Sequence, residues 1–384
     1  KWSCIGNLLR TDNVEVKIDL DAIVSRHLAI LSMTGMGKSN FVTVLAREIS
    51  RKKGTMIIFD YHNDYLDLKL EDEKGNNISV NHINAQLTPR VLDSERFADI
   101  VDIPKNAVNQ RDVLQELFPA VQRNTGFWDE LELHIRDIID VGATTAQERR
   151  RAAGARGLLT RITRARRSYA NVIDPRVEEP KQSLKPHSVN VLNALGFTEQ
   201  QADIGLAYYL RTALEDRKKS ATRDKGDVIF ERPLLFVIEE AHTFIRYDAD
   251  TESKYMAGKI AKEARKFGMG LCVVSQRPSK VDEDVLSQMG SFAVLKMIQK
   301  RDQDVVSNTS EDITEELSRQ LTSLNSGESL LTGRFVKMPT LAKIDDVSEL
   351  KGFGSDISAT EGWAKAKKMK KTKSSQELID KDDI

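Results

Sequence analysis

Residues 27–40, His-Leu-Ala-Ile-Leu-Ser-Met-Thr-Gly-Met-Gly-Lys-Ser-Asn, decide the fold. Leu28 to Leu31 form a short apolar run that reads as a buried strand. It leads directly into Thr34-Gly35-Met36-Gly37-Lys38-Ser39. Phe41, Val44, Leu45 and Ile49 follow at helical spacing. A strand, a glycine-bearing turn, Gly-Lys-Ser and a helix together make the context in which a phosphate-loop pattern is meaningful. Gly35 and Gly37 free the backbone to curl its N–H groups around an anion. The helix N-terminus adds partial positive charge. Lys38 then reaches the terminal phosphates, and the Ser39 hydroxyl is placed to ligate Mg²⁺. Thr34, Gly35, Met36, Gly37, Lys38, Ser39 and Asn40 are the expected nucleotide contacts. Ser32 stands where such loops usually open with glycine.

Two further apolar runs end in polar tips, as strands of a parallel sheet do at a ligand-binding edge. Thr55-Met-Ile-Ile-Phe-Asp60 is followed by Tyr61-His62-Asn63-Asp64-Tyr65. Asp60 and His62 are candidate accessory residues there, although a strand-end acid equally serves as a local cap. Leu234-Leu-Phe-Val-Ile238 ends in Glu239-Glu240. Paired acids after a strand complete an ATPase: Glu239 is expected on the metal side and Glu240 as the base that polarises water. Leu271-Cys-Val-Val-Ser-Gln276 delivers Gln276, suited to sensing the γ-phosphate. Arg265 precedes that strand on a helix end. It is either a salt-bridged surface residue or an arginine that reaches a neighbour's nucleotide. Arg26, just before the first core strand, reads as a solvated loop arginine or as a second such group.

The bulk numbers bound the partners. The chain has 384 residues, 40% hydrophobic and 30% charged, with formal net charge zero. Nucleic-acid binding must therefore come from local basic patches or from assembly. Cys4 and Cys272 are too few for a disulfide framework and lack metal-site spacing. No apolar run approaches the ~20 residues that span a bilayer, so no membrane role and a cytoplasmic location are expected. Residues 89–220 show helical spacing and few strand signals, and read as a helical insertion. Within it, residues 149–167 carry eight arginines and no acid. That is either a solvated basic face or a surface for DNA or a partner. Lys74-Gly-Asn-Asn77 reads as a hairpin turn, and Glu328 to Met338 as a hairpin turning at Thr332-Gly333. The lysine-rich residues 346–384 read as a tail.

The ordered set of motifs resembles the HerA family of hexameric DNA-pumping ATPases, within the wider FtsK/HerA group. Its segments are Thr34 to Asn40, Phe59 to Tyr65, Val237 to His242, Arg265 to Gly268, Val274 to Ser279, Asp282 to Gln288, Asp302-Gln303 and Leu324 to Glu328. The resemblance implies an α/β fold: a RecA-like (ASCE) P-loop NTPase core with a mainly parallel sheet, over 21–88 and 221–345. It implies a homohexamer with ATP and Mg²⁺ at subunit interfaces, double-stranded DNA in the central channel, and a NurA-type nuclease partner in DNA end resection. By motif position Glu240 is the catalytic base, Arg265 the trans-acting arginine and Gln276 the sensor, with Arg26 also at a neighbour's site. It further implies an N-terminal β-barrel of which residues 1–20 would be the C-terminal edge. The Asp60 motif departs from the family pattern at Asn63-Asp64. A nucleotide-gated ring scaffold that recruits a nuclease or defence effector is the alternative function.

Overall fold

The computed structural model describes residues 1–351 apart from 12, 223–226 and 311, so most of the 346–384 tail lies outside the described residues. In chain order come β1 (Trp2–Leu8), β2 (Glu15–Asp19), α1 (Leu20–Arg26), β3 (Leu28–Leu31), α2 (Lys38–Arg51), β4 (Thr55–Asp60) and β5 (Leu70–Glu71). Next are β6 (Asn77–Ile78), β7 (Asn81–Asn84), α3 (Ser94–Ile100), α4 (Val108–Val121), α5 (Phe127–Asp140), α6 (Ala146–Tyr169), α7 (Pro180–Ser183), β8 (Val189–Asn193) and α8 (Glu199–Ala221). Then follow β9 (Leu234–Ile238), α9 (Ala241–Phe244), α10 (Glu252–Glu263), β10 (Met269–Ser275), α11 (Glu283–Leu286), β11 (Ser291–Leu295), α12 (Lys300–Thr309), α13 (Glu315–Gln320), β12 (Glu328–Gly333) and β13 (Thr340–Ile344).

Eleven strands form one sheet in the order β2-β1-β13-β12-β11-β3-β10-β9-β4-β8-β7. From β11 to β7 every neighbouring pair is parallel. The four strands from β12 to β2 continue the sheet antiparallel. The central parallel strands β3, β9 and β10 are apolar along nearly their whole length because both faces are covered. Ala29, Leu31, Ile57 and Phe59 point into a core shared with α8, α10 and the helical segment. Leu28, Ile30, Met56 and Ile58 point into the core under α1 and α2. The phosphate-loop strand β3 and the acid-bearing strand β9 are separated by β10, the arrangement of additional-strand P-loop ATPases.

Several expectations change. The stretch 89–220 is helical over α3–α6, but β8 within it pairs with β4 and β7 in the main sheet. Asn190 interrupts the apolar run and hid the strand. It is fully buried, donating its Nδ2 to Lys185 O at 2.9 Å and accepting from Asn81 Nδ2 at 2.7 Å. Residues 1–20 supply β1 and β2, and β1 pairs with β13, so both strands extend the central sheet. The 328–338 hairpin turns later than Thr332-Gly333, since β12 runs through both and β13 returns at Thr340. Gly333 is required at φ 98° because a Cβ there would lie 2.4 Å from Gly290 O. The hairpin at Gly75 forms as read, with β5 pairing β6.

Candidate nucleotide site

The C-terminal ends of β3, β9, β10 and β4 deliver the predicted residues to one edge of the sheet. After β3 the chain turns through Gly35 (φ 77°) and Gly37 (φ 100°) into α2, which Gly37 caps in the left-handed region with no side-chain bond. The first N–H groups of α2 are thus left for an anion. Ser32 fits its buried position, its hydroxyl donating to Met33 O at 2.6 Å. The loop is buttressed by a turn that its sequence does not mark as part of the site. Gly327 N donates to Met36 O at 3.1 Å, and Ser326 Oγ to Gly35 O at 3.4 Å. Asn40 differs from expectation. Its amide donates to Asp345 O at 2.7 Å and accepts from Val347 N at 3.0 Å, so only its backbone is left to meet a phosphate.

A hydrogen-bonded chain links the loop to the acid. Thr34 Oγ1 donates to Gln276 Oε1. Gln276 Nε2 donates to Glu240 Oε2 at 3.2 Å. His242 Nδ1 lies 3.1 Å from the same oxygen. Burial, aided by Arg277 and Lys38, pulls the His242 ring down to about 4. The ring is therefore neutral at pH 7, and the carboxylate selects its Nδ1–H tautomer. Both donors take Oε2. Oε1 has no partner among the described residues and is the oxygen able to accept a proton from water. Glu240 itself is held at φ 49°, a sparsely populated conformation for a side-chain-bearing residue and one that recurs at functional sites.

Beneath this chain lies a second acid cluster. Burial lowers the Lys38 ammonium, while Glu240, Glu239 and Asp64 oppose that shift; the lysine thus sits among all three carboxylates. Ser39 Oγ donates to Asp64 Oδ2 at 3.1 Å. Asp60 does not face the phosphate side. Its two oxygens accept from Asp64 N at 3.0 Å and Tyr65 N at 2.9 Å, which folds the 60–65 turn and sets Asp64 against Ser39. Burial raises its carboxyl to about 6 against these donors. Glu239 is buried and accepts from Tyr65 Oη. Burial pushes it up to about 8. His62 is exposed and its ring lies tilted against Tyr61, centroids 5.1 Å apart. Among the described residues no three His, Cys, Asp or Glu side chains cluster to hold a metal. A hydroxyl with one or two carboxylates is instead the sparse oxygen set that suits Mg²⁺ shared with phosphates and water.

Arg26 and Arg265 are not brought to this edge. Both are exposed and both precede their strands, β3 and β10. Seven residues of β10 place Arg265 about 20 Å from the acids of its own chain. Their two segments are pinned together by His27, whose Nε2 donates to Ala261 O at 3.1 Å and whose Nδ1 accepts from Leu271 N at 2.9 Å.

These features define an additional-strand P-loop ATPase. Solved structures agree on the fold. A VirB4 structure from Thermoanaerobacter pseudethanolicus aligns with TM-score 0.59 at 13% identity, covering 90% of this chain and 97% of that one. The plasmid coupling protein TrwB, bound to a non-hydrolysable ATP analogue, aligns with TM-score 0.57 at 14% identity over 85% and 86%. The chain belongs to the HerA helicase family: the family model for the central domain of helicase HerA matches residues 3–213. It is 36% identical to the DNA double-strand break repair helicase HerA of Sulfurisphaera tokodaii, covering 94% of this chain and 73% of that protein. It is 32% identical to the Pyrococcus furiosus protein of the same name, over 95% and 74%. Among the described residues no helix is long and apolar enough to cross a membrane.

Proposed function

We propose that this chain is the ATP-driven subunit of a DNA double-strand break repair helicase that moves duplex DNA through a ring of six copies. The carrying observation is the Thr34–Gln276–Glu240–His242 chain, which ties the phosphate loop to a carboxylate with one oxygen fixed and one open. In this reading the loop amides from Thr34 to Asn40 cradle the phosphates and Lys38 draws charge from the terminal one. Ser39 and Asp64 would hold Mg²⁺, with Glu239 behind them, and the ion would supply neutralisation of phosphate charge. Glu240 Oε1 orients the attacking water and accepts its proton. Gln276 bridges Thr34 and Glu240, so a change at the phosphate is transmitted to the base.

The remaining charge is supplied in trans. Arg265 and Arg26 lie at the sheet edge remote from their own site and are exposed, the placement a ring requires of residues that complete a neighbour's site. The relatives named for double-strand break repair support a DNA substrate, and a NurA-type nuclease is the proposed partner in end resection.

The test is the steady-state ATPase rate of the purified chain, with and without blunt duplex DNA, against Lys38→Ala and Glu240→Gln. Duplex should stimulate the wild type, and both variants should lose turnover by about 10²-fold or more. Robust nucleotide binding with no response of turnover to duplex would overturn the motor and favour a nucleotide-gated scaffold.

A further inference from the structure

Seven of the eight arginines of α6 fall into two populations, and the helix geometry separates them; Arg150 is exposed between the two. Ala152, Ala155, Leu158, Ile162, Ala165 and Tyr169 are buried at three- and four-residue spacing, so one face of α6 is fixed. That face packs on α4 and α5. Gly154 and Gly157 permit the approach, since a Cβ would stand 2.6 Å from Asn109 O at the first and 2.6 Å from Gln110 Nε2 at the second. The helix is therefore a rigid rail about 36 Å long.

The flanking arginines are engaged by these neighbours. Arg151 pairs with Glu116, Arg166 with Asp129 at 2.6 Å, and Arg161 donates to Asp102 O at 2.9 Å. On the opposite crest lie Arg149, Ala153, Arg156, Thr160, Arg164 and Arg167, again at three- and four-residue spacing, and all six are exposed. None of the four crest arginines makes an ion pair among the described residues; Arg149 alone of them donates to backbone, to Thr145 O at 3.4 Å and Thr144 O at 3.3 Å, and stays exposed. Glu148, the helix's single acid, keeps its negative charge but spends its acceptor oxygen on the N-terminal cap, off the crest. Its Oε2 accepts from Thr144 N at 2.8 Å and Thr145 N at 2.9 Å, and those bonds hold it down at about 2, closing the N-terminal cap. The result is an acid-free arginine crest of about 27 Å on a chain of zero net charge.

We propose that this crest is a contact surface for the phosphate backbone of duplex DNA, outside the nucleotide site. Guanidinium groups bind phosphate in a bidentate manner and cannot be neutralised. Arg149, Arg156 and Arg164 are separated by rises of about 10 and 12 Å, comparable to a major-groove width of ~12 Å. A straight rail can thus touch backbone on both sides of a groove without reading bases. The C-terminal end of α6 is tied to the nucleotide side of the sheet. Gln201 Nε2 donates to Ser168 O at 2.6 Å, and Leu87 bridges Ile173 just beyond it. DNA held on the crest would therefore lie on an element braced against α8 and the segment that follows β7.

This inference rests on the DNA-binding part of the proposed function and not on ATP hydrolysis, so it is tested by binding alone. Fluorescence anisotropy of a labelled blunt duplex, across a salt series without nucleotide, compares the full chain with a quadruple variant. That variant is Arg149→Gln, Arg156→Gln, Arg164→Gln and Arg167→Gln. Arg151→Gln with Arg166→Gln is the flank control. The crest variant should bind at least about tenfold more weakly, with a log K against log salt slope shallower by about 0.9 for each phosphate it no longer neutralises. The flank control should keep both. Arg→Lys at the four crest positions should restore the slope, which a misfolded α6 would not. Wild-type binding with an unchanged crest variant overturns this proposal and leaves the helicase reading standing. Equal weakening in crest and flank variants also overturns it. Failure of the wild type to bind duplex at all removes the DNA reading itself.

Discussion

His27 carries the sharpest energetic prediction. Its backbone has φ 66° and ψ 162°, a region that is essentially glycine's alone and costs a side-chain-bearing residue roughly 1–3 kcal/mol. The ring is only 3% exposed. It donates from Nε2 to Ala261 O and accepts at Nδ1 from Leu271 N, so neither nitrogen has room for another proton. Burial lowers its pKa from 6.5 to about 4. A base whose folded pKa lies below its unfolded value is protonated preferentially in the unfolded chain. The stability it contributes is whole above pH 6.5 and is lost as pH falls towards 4. The move from 6.5 to about 4 corresponds to about 3 kcal/mol in full, most of it lost by pH 4.5. His27→Ala removes the ring and strands Ala261 O and Leu271 N, at about 2–5 kcal/mol for the two buried groups at neutral pH. His27→Gly strands the same groups but relieves the backbone, so it should be the more stable of the two variants. Urea unfolding followed by circular dichroism, from about pH 7.5 to pH 4.5, checks all three numbers. The gap between wild type and either variant should narrow by about 2–3 kcal/mol over that range. A gap that stays constant would mean the ring is not buried neutral, and a glycine variant weaker than alanine would remove the strain argument.

Two further outcomes concern the site. Asp64→Asn should raise the Mg²⁺ concentration needed for tight binding of a fluorescent ATP analogue by about tenfold while leaving metal-free binding intact, measured by equilibrium titration. An unchanged Mg²⁺ dependence would return the metal-side role to Glu239 alone. Gln276→Leu should reduce ATP turnover by about 10–10²-fold with nucleotide affinity preserved, because it breaks the link from Thr34 to Glu240 while sparing the phosphate loop; parallel losses in both would make Gln276 a binding residue instead.

What the sequence made legible was whatever depends on local pattern. Leu28 to Leu31 and Leu234 to Ile238 are apolar because both sheet faces are covered, and their polar tips follow from strand direction. The phosphate loop is a continuous stretch and could be read as one. Asp64 could not. It is an acid in a polar loop, and it reaches Ser39 only because Asp60 folds the intervening turn by accepting two of its backbone N–H groups. The same bonds explain why Asp60, which a strand-end acid made attractive, faces inward. Ser326-Gly327 is remote in sequence from the loop it braces, and His242 declares itself only when the start of α9 turns its ring back onto Glu240. β8 escaped notice for a different reason: a buried asparagine that satisfies its own hydrogen bonds breaks the apolar run on which strand reading depends.

The placement of His27 connects this local strain to the proposed work of the ring. Arg26 and the segment holding Arg265 approach the same sheet edge from different parts of the chain, and β3 and β10 are hydrogen-bonded neighbours. Two long arginines on independent loops would lose considerable side-chain entropy on being aimed together at a neighbour's phosphates. The imidazole between them bonds the end of α10 and the start of β10 at once, so part of that ordering is already present in the single chain. At the other end of the same strand, Gln276 receives Thr34 from the phosphate loop. β10 thus carries the proposed sensor at one tip and adjoins the proposed trans-acting edge at the other, a connection across which, on this reading, occupancy of one nucleotide site would bias the fit of the next. On this reading His27→Ala should depress duplex-stimulated ATP turnover more than nucleotide binding, and should do so under conditions where the variant remains folded. Equal loss of binding and turnover would show that the edge contributes stability and no more.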